Sequence, residues 1–125
     1  MRRRLRSRKA LVKDLDKYFS LYIRQRDGKL TDGMCIFACG RPIECAFHVV
    51  TRSKFAVRWD PFNCVGSCNS CNFNNEFNPD PYRIAYIKHY GWETYEALVE
   101  RSNTTRKFER TDLMALIEEY RGKVS

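Results

Sequence analysis

Hydrophobic positions recur at helical spacing near both ends of the chain and lose that period in the middle. Leu11, Leu15, Tyr18 and Tyr22 share one stripe, with Phe19, Ile23 and Arg26 on its neighbour, which predicts an amphipathic helix over 11–27. Asp27-Gly28 and Asp32-Gly33 are expected to break it. From Cys35 to Cys71 no helical period is sustained, and Pro42, Pro61 and two short β-prone runs predict a hairpin with long loops. Those runs are Phe47-His48-Val49-Val50 and Phe55-Ala56-Val57. Helical patterning resumes after Pro79-Asp80-Pro81 with Tyr82, Ala85 and Tyr86, and Gly91 stops it. A short helix follows from Trp92 through Tyr95, Leu98 and Val99, then a polar loop over 102–107. The last helix is expected to start near Thr111 as N-cap and to bury Leu113, Leu116, Ile117 and Tyr120. The pattern is that of one α+β domain.

Charge adds an asymmetry to this picture. The net charge of +8 is concentrated in residues 1–13, which hold seven of the 23 basic residues and no acid. The rest carries 16 basic and 15 acidic residues, a net +1. The sequence therefore reads as a basic flexible arm over 1–13 and a nearly neutral body over 14–125, its chemical core about 33–80 and a helical cap over 81–125. Cationic arms of this kind engage nucleic-acid phosphates, which makes Arg2, Arg3, Arg4, Arg6, Arg8 and Lys9 candidate DNA contacts. The composition, 43% hydrophobic and 30% charged, excludes wholesale disorder. No apolar run suits a bilayer span or a signal peptide, so neither a membrane nor secretion is expected and the cytoplasm is the expected location.

The six cysteines fit a reduced compartment and a metal better than a disulfide framework. Cys35 and Cys39 form one close pair and Cys68 and Cys71 another, about 30 residues apart, the spacing of a four-thiolate structural zinc site. Cys45 and Cys64 are surplus and read as buried thiols, although Cys45 could take the place of Cys39.

Between the two pairs lie His48, Asp60 and Asn63, with Asn72 directly after the last cysteine. A neutral imidazole can take a proton from water, and Asp and Asn oxygens suit a hard cation such as Mg²⁺ or Mn²⁺ that stabilises charge on a phosphate. Those are the parts a metal-dependent phosphodiesterase needs. Asp60 and Asn72 are the candidate cation ligands, and His48 the base or a ligand. Arg52, Lys54 and Arg58 are candidate phosphate contacts, and Trp59 or Phe73 a stacking surface if exposed. His89 reads as a solvated helix residue.

A histidine, a middle asparagine and a Cys-x2-Cys-Asn run opening a helix resemble the HNH (ββα-metal) nuclease superfamily. Within it the chain is most similar to the lambda NinG (Rap) family of phage recombination endonucleases. The likeness runs through Leu15–Asp27, Cys45-Ala46-Phe47-His48, Val57–Asn63, Cys68–Asn72, Asn78 and Pro81-Tyr82-Arg83-Ile84. It implies a zinc-anchored ββα-metal core with an N-terminal helix and C-terminal helices, catalytic His48, Asn63 and Asn72, and cleavage of Holliday junctions or D-loops, for which a homodimer would be natural. Phe47 departs from the pattern, standing where that family commonly has glycine and many HNH nucleases have a metal ligand. The third motif residue is here an asparagine, Asn72 or Asn74. The competing expectation is a non-catalytic zinc-ribbon module that only binds nucleic acid.

Overall fold

The computed structural model of the protein describes residues 6–124. Among the described residues six helices surround a two-stranded antiparallel sheet: α1 (Arg8–Thr31), β1 (Cys45–His48), α2 (Phe55–Arg58), β2 (Cys64–Ser67), α3 (Asn69–Asn74), α4 (Asp80–Tyr90), α5 (Trp92–Ser102) and α6 (Arg110–Lys123). A short 3-10 turn, Pro61–Asn63, leads into β2. None of the described helices is long and apolar enough to cross a membrane.

Helix α1 begins earlier and ends later than its apolar stripe predicts. Ser7 caps it by accepting a hydrogen bond from the Ala10 amide at 3.1 Å, and Arg6 pairs with Asp14. This draws Arg8, Lys9 and Lys13 into regular helix, so the arm expected over 1–13 is shortened from its C-terminal side. Arg2, Arg3 and Arg4 lie outside the described residues. At the other end Asp27-Gly28 continues the helix because the Asp27 carboxylate is buried and bonded. It takes the Arg26 guanidinium at 2.9 and 3.2 Å and the Gly66 amide at 2.7 Å. Arg26 also donates to the carbonyls of Pro61 and Cys64. The helix stops where Asp32 and Gly33 take left-handed φ values of 57° and 81°.

Leu11, Leu15, Phe19 and Ile23 form the buried stripe of α1, with Tyr18 and Tyr22 on its flank. They pack against Leu113, Ile117 and Tyr120 of α6 and against Trp59, Cys64 and Phe108. Trp59 is buried and does not offer the exposed stacking surface considered above. Its indole donates to Asp16 at 2.9 Å. A second apolar cluster, Phe47, Val57, Val65, Tyr86 and Leu98, lies on the opposite face of the sheet. Helix α6 starts two residues before the expectation: Glu109 is the N-cap and forms a reciprocal capping box with Asp112, so Thr111 is already inside the helix.

The hairpin pairs differently from the sequence pattern. His48 lies opposite Cys64 and Cys45 opposite Ser67, so the partner of the first β-prone run is the Cys64–Ser67 segment. The Phe55-Ala56-Val57 run forms the short helix α2 instead. Side chains alternate across a strand, which turns Phe47 into the second core, 4.8 Å from Phe37 between ring centroids, and turns Ala46 and His48 to the other face.

Gly66 marks where α1 and the loop before β1 press closest on the sheet. A Cβ there would stand 2.9 Å from Ile43 Cδ1 and 3.2 Å from Asp27 Cβ. Gly66→Ala is expected to lose about 1–3 kcal/mol by overpacking, read as a lower urea midpoint. Gly28→Ala, whose added methyl meets nothing closer than 4.0 Å within a helix, should be neutral or gain up to about 1 kcal/mol. Equal losses for the two would contradict this packing.

Candidate metal centre and active-site cleft

Two turns bring four thiols together. The first, Cys35 to Cys39, closes through the Ala38 amide on the Cys35 carbonyl at 3.1 Å, with Ala38 and Gly40 at left-handed φ values of 55° and 83°. The second is the N-terminus of α3, where the Cys68 sulfur accepts from the Cys71 amide at 3.4 Å. Arg41 reaches across from one turn to the other and donates to Ser70 Oγ at 2.7 Å.

The sulfurs of Cys35, Cys39, Cys68 and Cys71 all lie within 4.8 Å of one another. Cys35 and Cys71 are 4.0 Å apart, and Cys39 and Cys68 are 3.4 Å apart. Four sulfurs arranged tetrahedrally around zinc at about 2.3 Å would be separated by about 3.8 Å. The donor set therefore fits a structural zinc ion. Cys39 is the exposed member, and hydrogen bonding from the Arg41 backbone holds its thiol down at about 7, whereas burial pushes Cys35 and Cys71 up. Cys45 is not the fourth ligand: its sulfur turns to the Ser67 carbonyl at 3.4 Å. Cys64 is wholly buried in the first core.

Beside this centre, His48 and Asn72 line one open cleft of about 500 Å³, together with Ala46, Thr51, Arg52 and Glu76. Three constraints fix His48. The strand turns it to this face, Phe19 stands 6.3 Å from its ring, and its Nε2 lies 2.9 Å from the Arg58 carbonyl. A carbonyl only accepts, so Nε2 carries the proton and Nδ1 keeps the free lone pair. Burial pushes the imidazole down to about 4, against the pull of the Arg58 carbonyl and with help from the Arg52 guanidinium.

Several residues chosen from sequence stand elsewhere. Asn63 has no exposed surface and no free amide group. Its oxygen accepts from the Val50 amide at 2.7 Å, and its nitrogen donates to the carbonyls of Val50 and Val57 at 3.0 Å. It shapes the chain just after His48, with its amide committed to the backbone. Asp60 does not line the cleft: one carboxylate oxygen caps the 3-10 turn through Phe62 N, and the other holds Arg101 at 2.8 Å. The expected cation ligand therefore stands outside the cleft that His48 lines. Arg58, expected as a phosphate contact, is engaged by both carboxylate oxygens of Asp16 at 3.1 and 2.6 Å. Arg52 and Lys54 are exposed.

Glu76 was missed. The signal was its i+4 spacing from Asn72, which puts both side chains on one face of a helical turn. The turn does continue past α3, with the Asn75 amide on the Cys71 carbonyl at 3.1 Å and the Glu76 amide on the Phe73 carbonyl at 3.2 Å.

Comparison with known families gives a match over residues 1–125 to the model described as Bacteriophage Lambda NinG protein. No curated protein and no solved structure matches the chain.

The histidine geometry has a direct spectroscopic consequence. In ¹H–¹⁵N spectra the His48 ring should carry its proton on Nε2 at pH 7 and remain neutral to below pH 5. Because the unfolded ring titrates near ~6.5, acidification favours the unfolded state through this group. Its contribution to stability is full above that pH and is lost as pH falls towards about 4. A ring that titrates near 6.5 in the folded protein, or carries its proton on Nδ1, contradicts the assignment.

Proposed function

The chain belongs to the bacteriophage lambda NinG family, and we propose that it is a metal-dependent DNA endonuclease of the HNH type that cuts branched recombination intermediates. The observation that carries this reading is a neutral, carbonyl-oriented histidine facing the same cleft as the asparagine that follows the last cysteine.

Three groups divide the work. His48 Nδ1, with its proton held away on Nε2, removes a proton from water as that oxygen bonds to phosphorus and the bond to the 3′ oxygen breaks; the leaving oxygen takes a proton from solvent. The low basicity of the free ring rises when a phosphate dianion-like transition state enters the cleft, because a nearby negative charge favours imidazolium. Asn72 and Glu76 present oxygens that suit Mg²⁺ or Mn²⁺. A cation bound there would offset charge on the phosphate and on the leaving oxygen. Arg52 lies on the cleft wall, placed to hold a neighbouring phosphate.

Preference for branches is supported by Phe73 and Phe77, 61% and 73% exposed, with ring centroids 5.2 Å apart beside Asn72. Bases freed at a branch can stack on such rings. Paired cuts would call for two copies of the chain, acting in the cytoplasm of a phage host.

The test is cleavage of a labelled Holliday junction and of linear duplex with Mg²⁺, with Mn²⁺ and with EDTA. His48→Ala should bind as the parent does and cut about 10²–10⁴ times more slowly. Asn72→Ala and Glu76→Gln should each raise the cation concentration needed. His89→Ala, exposed on α4 and away from the cleft, should cut normally. Near-parental cutting by His48→Ala would refute the mechanism, and a parent that binds DNA yet cuts none would make the protein a zinc-ribbon binding module.

A further inference from the structure

A second groove, also about 500 Å³, opens next to the cleft and gathers cations from three distant parts of the chain. Arg8 comes from the start of α1, Lys54 from the turn before α2, and Arg106 and Lys107 from the loop between α5 and α6. No carboxylate lines it among the described residues, and neither Lys54 nor Lys107 is in an ion pair.

Its walls are held in shape. Arg106 lies 4.4 Å over the buried ring of Phe108, and Arg8 donates to the Phe108 carbonyl. Thr104 Oγ1 donates to the Arg101 carbonyl at 2.7 Å, and the Lys54 amide to the Thr51 carbonyl at 3.0 Å. Four like charges gathered around one groove, two of them held by Phe108, repel one another, and an anion of matching length relieves that repulsion.

The groove also has a direction. Thr51 and Arg52 line the cleft that holds His48, whereas Ser53 and Lys54 line the groove. Consecutive α-carbons are about 3.8 Å apart, so the two depressions share a wall. A polyanion seated at Arg52 is led onward to Lys54 and then to Arg106 and Lys107.

We propose that this groove binds the sugar–phosphate backbone of a duplex DNA arm leading away from the scissile phosphate. The proposal rests on the endonuclease reading for its occupant. It assigns to Arg106 and Lys107 a role in arm binding distinct from the chemistry at His48.

The experiment measures binding of labelled duplex to the full chain across a range of salt in EDTA, where cutting plays no part. Lys54→Gln/Lys107→Gln should flatten the slope of log K against log salt by about 1.8, roughly 0.9 per lost phosphate contact. Lys29→Gln/Lys88→Gln removes the same charge from exposed positions that line neither depression, and should leave the slope nearly unchanged. Equal flattening in both variants, or none in the first, overturns the groove. Loss of cutting in the parent with the groove variant still selectively flattened would overturn the endonuclease reading and leave the arm site standing.

Discussion

One wall of the cleft depends on four thiols meeting at one point. Helix α3 has only six residues, too few to persist on its own helical hydrogen bonds. What fixes it is that two of those thiols, Cys68 and Cys71, are drawn to Cys35 and Cys39 some thirty residues earlier. Structural zinc in such a site contributes about 10–16 kcal/mol in small peptides, and that energy is folding energy. Asn72, adjacent to Cys71, and Glu76, one turn further on, inherit their positions from this tie. The 35–41 turn is also held to the body by the Ile36 amide on the Gly66 carbonyl at 3.0 Å, by the Phe37 ring against Phe47 and Tyr82, and by Arg41 on Ser70.

The other wall of the cleft is organised by buried and half-buried polar groups. Asp27 anchors α1 to the sheet through the Gly66 amide, and Arg26 gathers the carbonyls on either side of the 3-10 turn. Asp16 grips Arg58 with both oxygens, and the carbonyl of that same Arg58 sets the tautomer of His48. Asn63 pins the chain immediately after the histidine. Each leaves no buried side-chain donor or acceptor without a partner among the described residues, so the network is rigid at low electrostatic cost. Preorganisation of His48 thus comes from residues outside the lining of the cleft, Asp16, Arg58 and Asn63.

The α+β class, the terminal helices and the meeting of Cys35, Cys39, Cys68 and Cys71 were legible in the sequence, because long apolar stripes and paired cysteines are local signals. The strand partner was not. Phe55-Ala56-Val57 has the better β composition, yet Cys64–Ser67 wins because all four of its residues are buried and Gly66 alone admits Asp27 and Ile43. Asp60 looked free because an aspartate before proline is an ordinary turn starter; its second oxygen is taken by Arg101, 41 residues away, which no local pattern shows. Phe47 departs from the family pattern without touching the cleft, since strand alternation sends it into the opposite core. Glu76 lay hidden past the end of α3, where spacing from Asn72 rather than any motif places it.

The tie between the two cysteine turns is most directly tested by titrating the reduced, metal-free protein with Co²⁺ and recording its absorption. One equivalent per chain should develop the intense bands of a tetrahedral four-thiolate site. The same spectrum should form in Cys45→Ser and Cys64→Ser and fail in Cys39→Ser. A four-thiolate spectrum that survives Cys39→Ser and disappears in Cys45→Ser would contradict the account.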